Sequence, residues 1–199
     1  MKSFFDIETT GLPEKNEFNL LYPPEEVDRY AKSRIIEIGI VVVDRDKIVK
    51  TYNSIIKPDN FTSLEPIITE LTGITDEMIL KEGKSMVDVI KEIKSIFKKV
   101  HAINSYNINF DYNILMSELY RLNDKKTIKI LKNVKKECTM RIAKKFYRRE
   151  NYLKLEVLYK KLFNIDPKQD HRALGDAILC KEAYYELKNR NRNLNNLLN

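Results

Sequence analysis

The sequence is poor in the features that mark disulfide-rich, membrane-spanning and secreted proteins. Cysteine occurs twice in 199 residues, at Cys138 and Cys180, which is too few for a disulfide framework and lacks metal-type spacing. We therefore expect two buried, reduced thiols. No apolar run approaches the roughly 18 residues of a membrane span, and a predicted strand starts directly after Met1, which leaves no room for a signal or transit peptide. These observations predict a cytoplasmic protein without a membrane partner.

The bulk composition is that of one globular domain. A length of 199 residues fits a single sizeable core, and 43% hydrophobic with 33% charged residues is ordinary. We expect one domain over residues 1–190 and a frayed helix end over the Asn-rich residues 191–199, which show no repeat or linker composition. The net charge of +7 becomes informative only together with a site that works on phosphates.

The order of strand and helix patterns predicts an α/β fold. Residues 34–44 and 47–57 are β-branched runs separated by a polar pair, which indicates a hairpin. Residues 12–33 contain three prolines and are interpreted as a long loop. We expect a mixed five-stranded sheet, with its first three strands antiparallel, flanked by helices. The predicted strands are 2–7, 34–44, 47–57, 100–107 and 134–138; the predicted helices are two short ones that flank Gly73 and Thr75, then 85–99, 109–123, 139–149, 154–163 and one from about 172.

The stretch FFDIETTGLP, residues 4–13, places two acids at the end of an apolar strand. Side chains alternate along a strand, so Asp6 and Glu8 share one face. Two adjacent carboxylates repel each other unless a cation lies between them, and a hard divalent cation with oxygen ligands meets that need. Gly11 would let another backbone or a ligand approach closely. A strand that simply ends in polar residues stays open as the alternative, because so short a pattern is common.

Two later segments also combine acids with apolar surroundings. Asp111, in YNINFDYNIL, lies near the start of an amphipathic helix that follows a strand, where it could equally serve as a helix cap. In DPKQDHRALGDA, His171 and Asp176 are five residues apart, and on one continuous helix they would point about 140° away from each other. They can face one site only if His171 precedes the helix. A surface histidine and an acid that complements the helix dipole are the alternative.

Together, these four acids and one histidine resemble the DEDDh, or DnaQ-like, exonuclease superfamily. FDIETTGL is similar to the family's D-x-E-T-T-G-L motif, YNINFD to H-N-x-x-F-D, and HRALGDA to H-x-A-x-x-D. RIIEIGIVVVD, LTGITDEM and KLEVLYKKLF agree with further landmarks, so the resemblance covers residue 3 to about 185 and implies a ribonuclease H-like fold. Tyr106 departs from the family's usual histidine, and segment 12–33 is longer than in compact relatives. Arg172 stands where a sibling subclass has tyrosine, which disfavours that subclass.

The resemblance implies a metal-dependent 3′→5′ exonuclease that releases 5′-mononucleotides from single-stranded DNA. Two Mg²⁺ or Mn²⁺ ions activate the water and stabilise the leaving oxygen in such chemistry, and oxygen-only ligands favour these ions over Zn²⁺. Excess lysine and arginine suit the phosphates upstream of the scissile bond. The implied metal ligands are Asp6, Glu8, Asp111 and Asp176, with His171 as general base; the expected substrate-binding residues are Thr9, Thr10, Gly11, Leu12, Asn107, Lys168 and Arg172.

Three alternative functions stay open on the sequence. An exoribonuclease that trims RNA 3′ ends would carry the same motifs, since nothing in the sequence visibly reads a 2′-hydroxyl. A proofreading subunit would act with a DNA polymerase, but only 23 residues follow Asp176, so we expect a free-standing enzyme. A nucleic-acid-binding module without catalysis is disfavoured because all five reactive positions are filled. The expected partners are single-stranded DNA or RNA 3′ ends and, for a proofreading subunit, a DNA polymerase.

Overall fold

The computed structural model describes residues 1–167 and 171–197. Within these residues the chain forms one six-stranded sheet and eight α-helices, which confirms the predicted α/β fold. The strands are β1 (Lys2–Thr9), β2 (Ile35–Asp44), β3 (Lys47–Lys57), β4 (Lys84–Ser85), β5 (Ala102–Ser105) and β6 (Lys135–Cys138). The helices are α1 (Pro66–Thr72), α2 (Asp76–Glu82), α3 (Met86–Phe97), α4 (Ile108–Arg121), α5 (Lys125–Asn133), α6 (Thr139–Phe146), α7 (Leu155–Phe163) and α8 (Ala173–Leu197).

The sheet order, β4-β3-β2-β1-β5-β6, puts β1 between an antiparallel and a parallel neighbour. Strand β2 pairs antiparallel with both β1 and β3, as predicted, and β6 runs parallel to β5. The prediction of five strands was wrong by one, because β4 has two residues and pairs only with the end of β3. Two residues are too few to show alternation in the sequence. In the central ladder, Asp6 lies opposite Gly39 and Glu8 lies opposite Glu37.

Each face of the sheet has its own core. Phe5 and Ile7 belong to the large cluster formed with residues of α3, α4 and α5. Phe4 packs on the opposite face with Val41 and with Tyr184 of α8. Because side chains alternate along β1, the acids that follow Phe4 at two-residue spacing point to the face covered by α8.

Local signals explain several of the helix ends. Gly73 is left-handed, with φ 67°, after α1, and the Thr75 hydroxyl accepts a hydrogen bond from the Met78 amide at the start of α2. The sequence prediction lacks α5, whose buried side chains are few and lie among lysines. Asp124 caps this helix by accepting a hydrogen bond from the Thr127 amide.

The long segment 12–33 is anchored to the domain although it is largely irregular. It contains a 3-10 turn, Val27–Tyr30, and the Tyr30 side chain is fully buried. The Tyr30 hydroxyl donates to the carbonyl of Tyr22 within the same segment. The segment therefore follows a defined path from the end of β1 to the start of β2.

The cysteines and the hydrophobicity of the helices can be compared with the expectations from the sequence. Cys138 and Cys180 are buried and form no disulfide, which confirms the prediction of two buried thiols. Among the helices of residues 1–167 and 171–197, none is long and apolar enough to cross a membrane.

Candidate active site

Two carboxylates from the end of β1 meet a third from the first turns of α8. A carboxylate oxygen of each of Asp6, Glu8 and Asp176 lies within 4.8 Å of the other two. Asp6 and Glu8 are two residues apart on one strand and therefore share a face. The structure thus brings together three of the four acids that the sequence motifs predict as metal ligands.

Gly39 of β2 explains how α8 approaches the sheet so closely. A Cβ atom on Gly39 would lie 2.2 Å from the backbone nitrogen of Leu174 and 2.3 Å from the carbonyl carbon of Ala173, which no side chain could tolerate. Because Gly39 is paired with Asp6, this contact puts the first turn of α8 beside Asp6. A glycine inside a strand of β-branched residues is the sequence signal for such a close approach.

Asp111 supplies the fourth carboxylate from the first turn of α4. The helix starts directly after β5 with Asn107 as its N-cap residue, which positions Asp111 at the end of a strand parallel to β1. Its side chain is 3% exposed and accepts a hydrogen bond of 2.7 Å from the Ser105 hydroxyl. Burial raises the pKa of Asp111 to about 7, although the Ser105 hydrogen bond opposes this shift. The alternative of a simple capping acid is disfavoured, because Asp111 is buried and turned toward other acids.

The four carboxylates repel one another in a partly desolvated site. Burial raises the pKa of Asp6 well above its ordinary value, and among its neighbours the charge of Asp111 contributes most. Burial, together with the charges of Asp176 and Glu37, raises the pKa of Glu8 to about 8. Acids held this way are stabilised by a cation between them, and an oxygen-only donor set suits a hard divalent cation. The residues present therefore fit a divalent metal site.

This repulsion predicts an unusual pH dependence of stability for the metal-free protein. A carboxyl group whose pKa is higher in the folded than in the unfolded chain binds more protons when folded, so the free energy of unfolding falls as the pH rises between the two values. For Glu8 the interval runs from 4.5 to about 8. We expect the melting temperature in EDTA to fall across this interval, by about 2–4 °C for each kcal/mol lost, and Mg²⁺ or Mn²⁺ to reduce the loss.

Differential scanning fluorimetry at several pH values, with EDTA and with each metal, measures this effect. The carboxyl of Glu137 does not interfere, because its hydrogen bonds lower its pKa to about 2 and its effect lies below the interval. The Glu8→Gln variant serves as the matched control and should show a flatter profile. A melting temperature that rises through the interval in EDTA, or that does not respond to metal, would contradict the proposed repulsion.

Glu37 is a buried carboxylate opposite Glu8 that the sequence analysis missed. Its side chain is 0% exposed. The Arg172 guanidinium donates from Nη2 to Oε1 at 2.6 Å and from Nε to Oε2 at 3.0 Å. Oε2 also accepts from the Ala173 backbone amide, and Oε1 from the Asn53 side-chain amide, both at 3.0 Å. Glu37 therefore fixes the chain that leads into α8, and an acid inside an otherwise apolar strand is the signal that could have revealed it.

His171 lies on the loop directly before α8, as predicted. Its side chain is exposed, and its backbone has φ 48°, a left-handed conformation that non-glycine residues seldom adopt. Such strain persists where the surrounding structure fixes the chain, and the next two residues, Arg172 and Ala173, are held by Glu37. The phosphate contact expected of Arg172 stays a prediction, and Lys168 lies outside the described residues.

The turn after β1 uses its hydroxyl groups to bind its own backbone. The Thr9 hydroxyl donates to the Gly11 carbonyl at 2.8 Å, and the Thr10 hydroxyl donates to the Lys32 carbonyl at 2.9 Å. A Cβ atom on Gly11 would lie 2.8 Å from the Lys32 carbonyl oxygen. The prediction that another backbone approaches Gly11 closely is therefore confirmed.

Two further residues expected to contact substrate lie at the surface. The Leu12 side chain is 73% exposed, and Asn107 is exposed at the N-terminus of the helix that carries Asp111. Neither side chain is buried in the core.

Tyr106, the departure from the family motif, donates from its hydroxyl to the Leu153 carbonyl. This hydrogen bond connects Tyr106 to the segment before α7.

Comparisons with known proteins identify a matching family model and related proteins. A family model described as an exonuclease, RNase_T, matches residues 3–184. A DNA polymerase III of the PolC type from Thermotoga maritima is 32% identical over 179 residues, which is 90% of this chain and 11% of that protein. The chain thus spans about a tenth of the length of the PolC-type relatives it matches.

Two solved structures share the fold. Exonuclease I of E. coli in complex with a dA16 oligonucleotide superposes with a TM-score of 0.74 at 20% identity, covering 99% of this chain and 42% of that chain. The nuclease domain of 3′hExo, a DEDDh family member bound to rAMP, superposes with a TM-score of 0.67 at 20% identity, covering 94% of this chain and 92% of that chain. Together with the order of strands and helices, these superpositions confirm the predicted ribonuclease H-like fold.

Proposed function

The chain belongs to the RNase_T exonuclease family, and from this premise we propose that it removes 5′-mononucleotides from the 3′ end of single-stranded DNA. The observation that supports this most is the meeting of Asp6, Glu8 and Asp176, whose carboxylate oxygens lie within 4.8 Å of one another. The buried Asp111 adds a fourth negative charge beside them. We propose that residues 1–190 form this one exonuclease domain, and that the protein acts in the cytoplasm, as expected of a relative of DNA polymerase III.

The family depends on divalent metal ions. In our proposal the four carboxylates, Asp6, Glu8, Asp111 and Asp176, hold two ions, either Mg²⁺ or Mn²⁺. When bound, such ions compensate the charge of the scissile phosphate and activate the attacking water. The chain contributes a rigid, partly desolvated ligand set, with Asp6 and Glu8 on a central strand and the other two acids in the first turns of helices.

Other residues of the site bind the substrate and move the proton. An imidazole nitrogen of His171 accepts the proton of the attacking water, a task that suits histidine because its reference pKa is about 6.5. The exposed Leu12 packs against the terminal base. The turn that presents Leu12 is held by Thr9, Thr10 and Gly11. The phosphates of the substrate are bordered by Asn107, Lys168 and Arg172.

Removing the general base should slow hydrolysis strongly without affecting the fold. We expect His171→Ala to lower kcat by roughly 10²–10⁴-fold, the usual contribution of a general base, while the stabilisation of the protein by Mg²⁺ or Mn²⁺ is retained. The matched control is His101→Ala, because these are the two histidines of the chain and both are exposed. A His171→Ala enzyme with near-normal kcat would remove this residue from its proposed role.

The substrate and the direction of cleavage can be tested in one assay. The protein is incubated with 5′-labelled single-stranded DNA and RNA of equal length, with Mg²⁺ or Mn²⁺ and with EDTA. We expect a ladder of progressively shorter products from DNA in the presence of metal. A ladder on RNA alone would instead identify an exoribonuclease, and internal cuts or cleavage in EDTA would contradict the mechanism. A noncatalytic binding module would retard the electrophoretic mobility of both substrates without shortening either.

A proofreading role is the second candidate, because the PolC-type relatives are DNA polymerases. In that role the same site would act on a primer terminus presented by a polymerase. The two roles differ in one measurement: a free-standing enzyme degrades a single-stranded end at the same rate whether or not a DNA polymerase is added.

A further inference from the structure

A positively charged surface lies on α5 and the start of β6. Six lysines fall within residues 125–136, and this stretch contains no acid. The apolar side chains of α5, Ile128 and Leu131, are buried against the domain. All six lysine residues are exposed, at Lys125, Lys126, Lys129, Lys132, Lys135 and Lys136. The Lys136 ammonium, however, donates to the carbonyls of Lys132 and Val134.

Part of this surface is concave. A groove of about 520 Å³ lies between the end of α4 and α5, and its lining includes Tyr120, Lys125, Ile128, Lys129, Lys132 and Asn133. We call it the α5 groove. Its lining includes three ammonium groups and two side-chain amides, of Asn123 and Asn133, a set that suits a sugar-phosphate backbone.

The positive charges of the α5 groove are weakly compensated. Within the described residues, Lys125 and Lys129 form no ion pair. Lys132 lies 3.5 Å from Glu25, but both side chains are about half exposed, and such surface pairs contribute about 0–1 kcal/mol. A polyanion could therefore take the place of Glu25 at little cost.

The α5 groove is connected to the active site by two elements. Tyr120 lies on α4, nine residues after Asp111, or about 13 Å along the helix axis. The Tyr120 hydroxyl also donates to Glu25 at 2.5 Å, and Glu25 belongs to the segment that begins at Leu12 beside the carboxylates. For a strand that keeps duplex-like stacking, which advances about 3.4 Å per nucleotide, this separation corresponds to roughly four nucleotides.

We propose that the α5 groove is a second nucleic-acid-binding site that holds the backbone of the substrate strand about four or more nucleotides before its 3′ end. The inference rests on the proposed exonuclease function. Lys125, Lys129 and Lys132 contact phosphates, and the Tyr120 ring, which packs on the core and has the Lys132 ammonium 5.4 Å from its centroid, forms a wall of the groove. The site raises affinity for long strands and leaves the hydrolysis step unchanged, since it lies at the end of α4 opposite to the turn that carries Asp111.

The test is equilibrium binding of fluorescently labelled single-stranded oligothymidylates of 20 and 3 nucleotides, measured by anisotropy in EDTA so that no cleavage occurs. For the triple variant Lys125→Gln, Lys129→Gln, Lys132→Gln we expect the Kd of the 20-mer to rise roughly tenfold or more. The slope of log Kd against log salt should fall by about 2, since each phosphate contact on a single strand contributes about 0.7. Binding of the 3-mer should not change.

The matched control removes three positive charges elsewhere. Lys47→Gln, Lys50→Gln, Lys81→Gln changes three exposed lysines on β3 and α2 and should leave both Kd values near wild type. Equal 20-mer binding by the α5 variant and wild type would overturn the proposal and leave the lysines to another partner, such as an acidic protein. Equal losses in both triple variants would also overturn it, because net charge alone would then explain them. Failure of the exonuclease function is seen separately, as a wild-type protein that does not shorten the 20-mer with Mg²⁺ or Mn²⁺.

Discussion

Replacing Asp6 with asparagine is expected to abolish turnover while making the metal-free protein more stable. Burial and the neighbouring carboxylates raise the pKa of Asp6, so its charge destabilises the folded state when no cation is present. Asparagine has the same shape without that charge. Bound metal ions stabilise the charge of the transition state by several kcal/mol. Loss of the Asp6 carboxylate would weaken the binding of these ions, so we expect kcat to fall by about 10³-fold or more.

Two measurements on the Asp6→Asn protein separate these effects. Its melting temperature in EDTA near pH 8 should exceed that of wild type, and the further rise on adding Mg²⁺ or Mn²⁺ should be lost. Its kcat on single-stranded DNA should fall below detection, with an unchanged circular dichroism spectrum. Asp46→Asn, an exposed acid in the β2–β3 turn, is the control and should affect neither quantity. Near-normal turnover, or a lower melting temperature than wild type in EDTA, would show that Asp6 does not carry the role we propose.

The second large effect is on stability and concerns the pair of Arg172 and Glu37. Removing one partner of a buried ion pair leaves an uncompensated charge and typically costs 3–5 kcal/mol. Glu37 is fully buried, but the Arg172 side chain is 28% exposed, so we expect Arg172→Gln to lower the free energy of unfolding by about 3 kcal/mol. The double variant with Glu37→Gln should regain much of this loss, because it no longer buries a charge.

Urea denaturation measures both changes, and an unaltered m-value would show that the unfolded state is the same. Arg29→Gln is the matched control: Arg29 pairs with Glu14 at 2.8 Å, but both side chains are nearly half exposed, so the cost should stay below about 1 kcal/mol. If Arg172→Gln cost no more than Arg29→Gln, the pair would not hold the start of α8. If the double variant were no more stable than Arg172→Gln, the buried charge would not be the cause.

The Glu37–Arg172 pair also explains why the role of Arg172 was difficult to assign from the sequence. Arg172 follows the motif histidine in a basic protein, and that position suggested a phosphate contact. In the structure its guanidinium forms three hydrogen bonds with the Glu37 carboxylate on β2. Nothing in the local sequence of either residue identifies the other as its partner, because the pairing depends on how α8 packs against the sheet.

Other parts of the site were predicted well because their causes are local. Alternation along β1 places Asp6 and Glu8 on one face, and the turn that contains Gly11 closes against Lys32 as expected of a glycine in tight contact. His171 was expected to precede α8, because on one continuous helix it would point away from Asp176, and the structure places it there. The missed elements are β4, whose two residues are too few to show a period, and α5, whose buried Thr127, Ile128 and Leu131 follow a helical spacing but lie among lysines.

The sequence by itself determined which side chains could do the chemistry, and it placed each of them at the end of a strand or the start of a helix. Those features depend on backbone periodicity and helix capping, which act over a few residues. Tertiary structure decided that Asp6, Glu8 and Asp176 meet, that Glu37 pairs with Arg172, and that lysines of α5 line a groove. Each of these depends on contacts between distant parts of the chain, such as the approach of α8 to Gly39, and only the packing of the whole domain sets them.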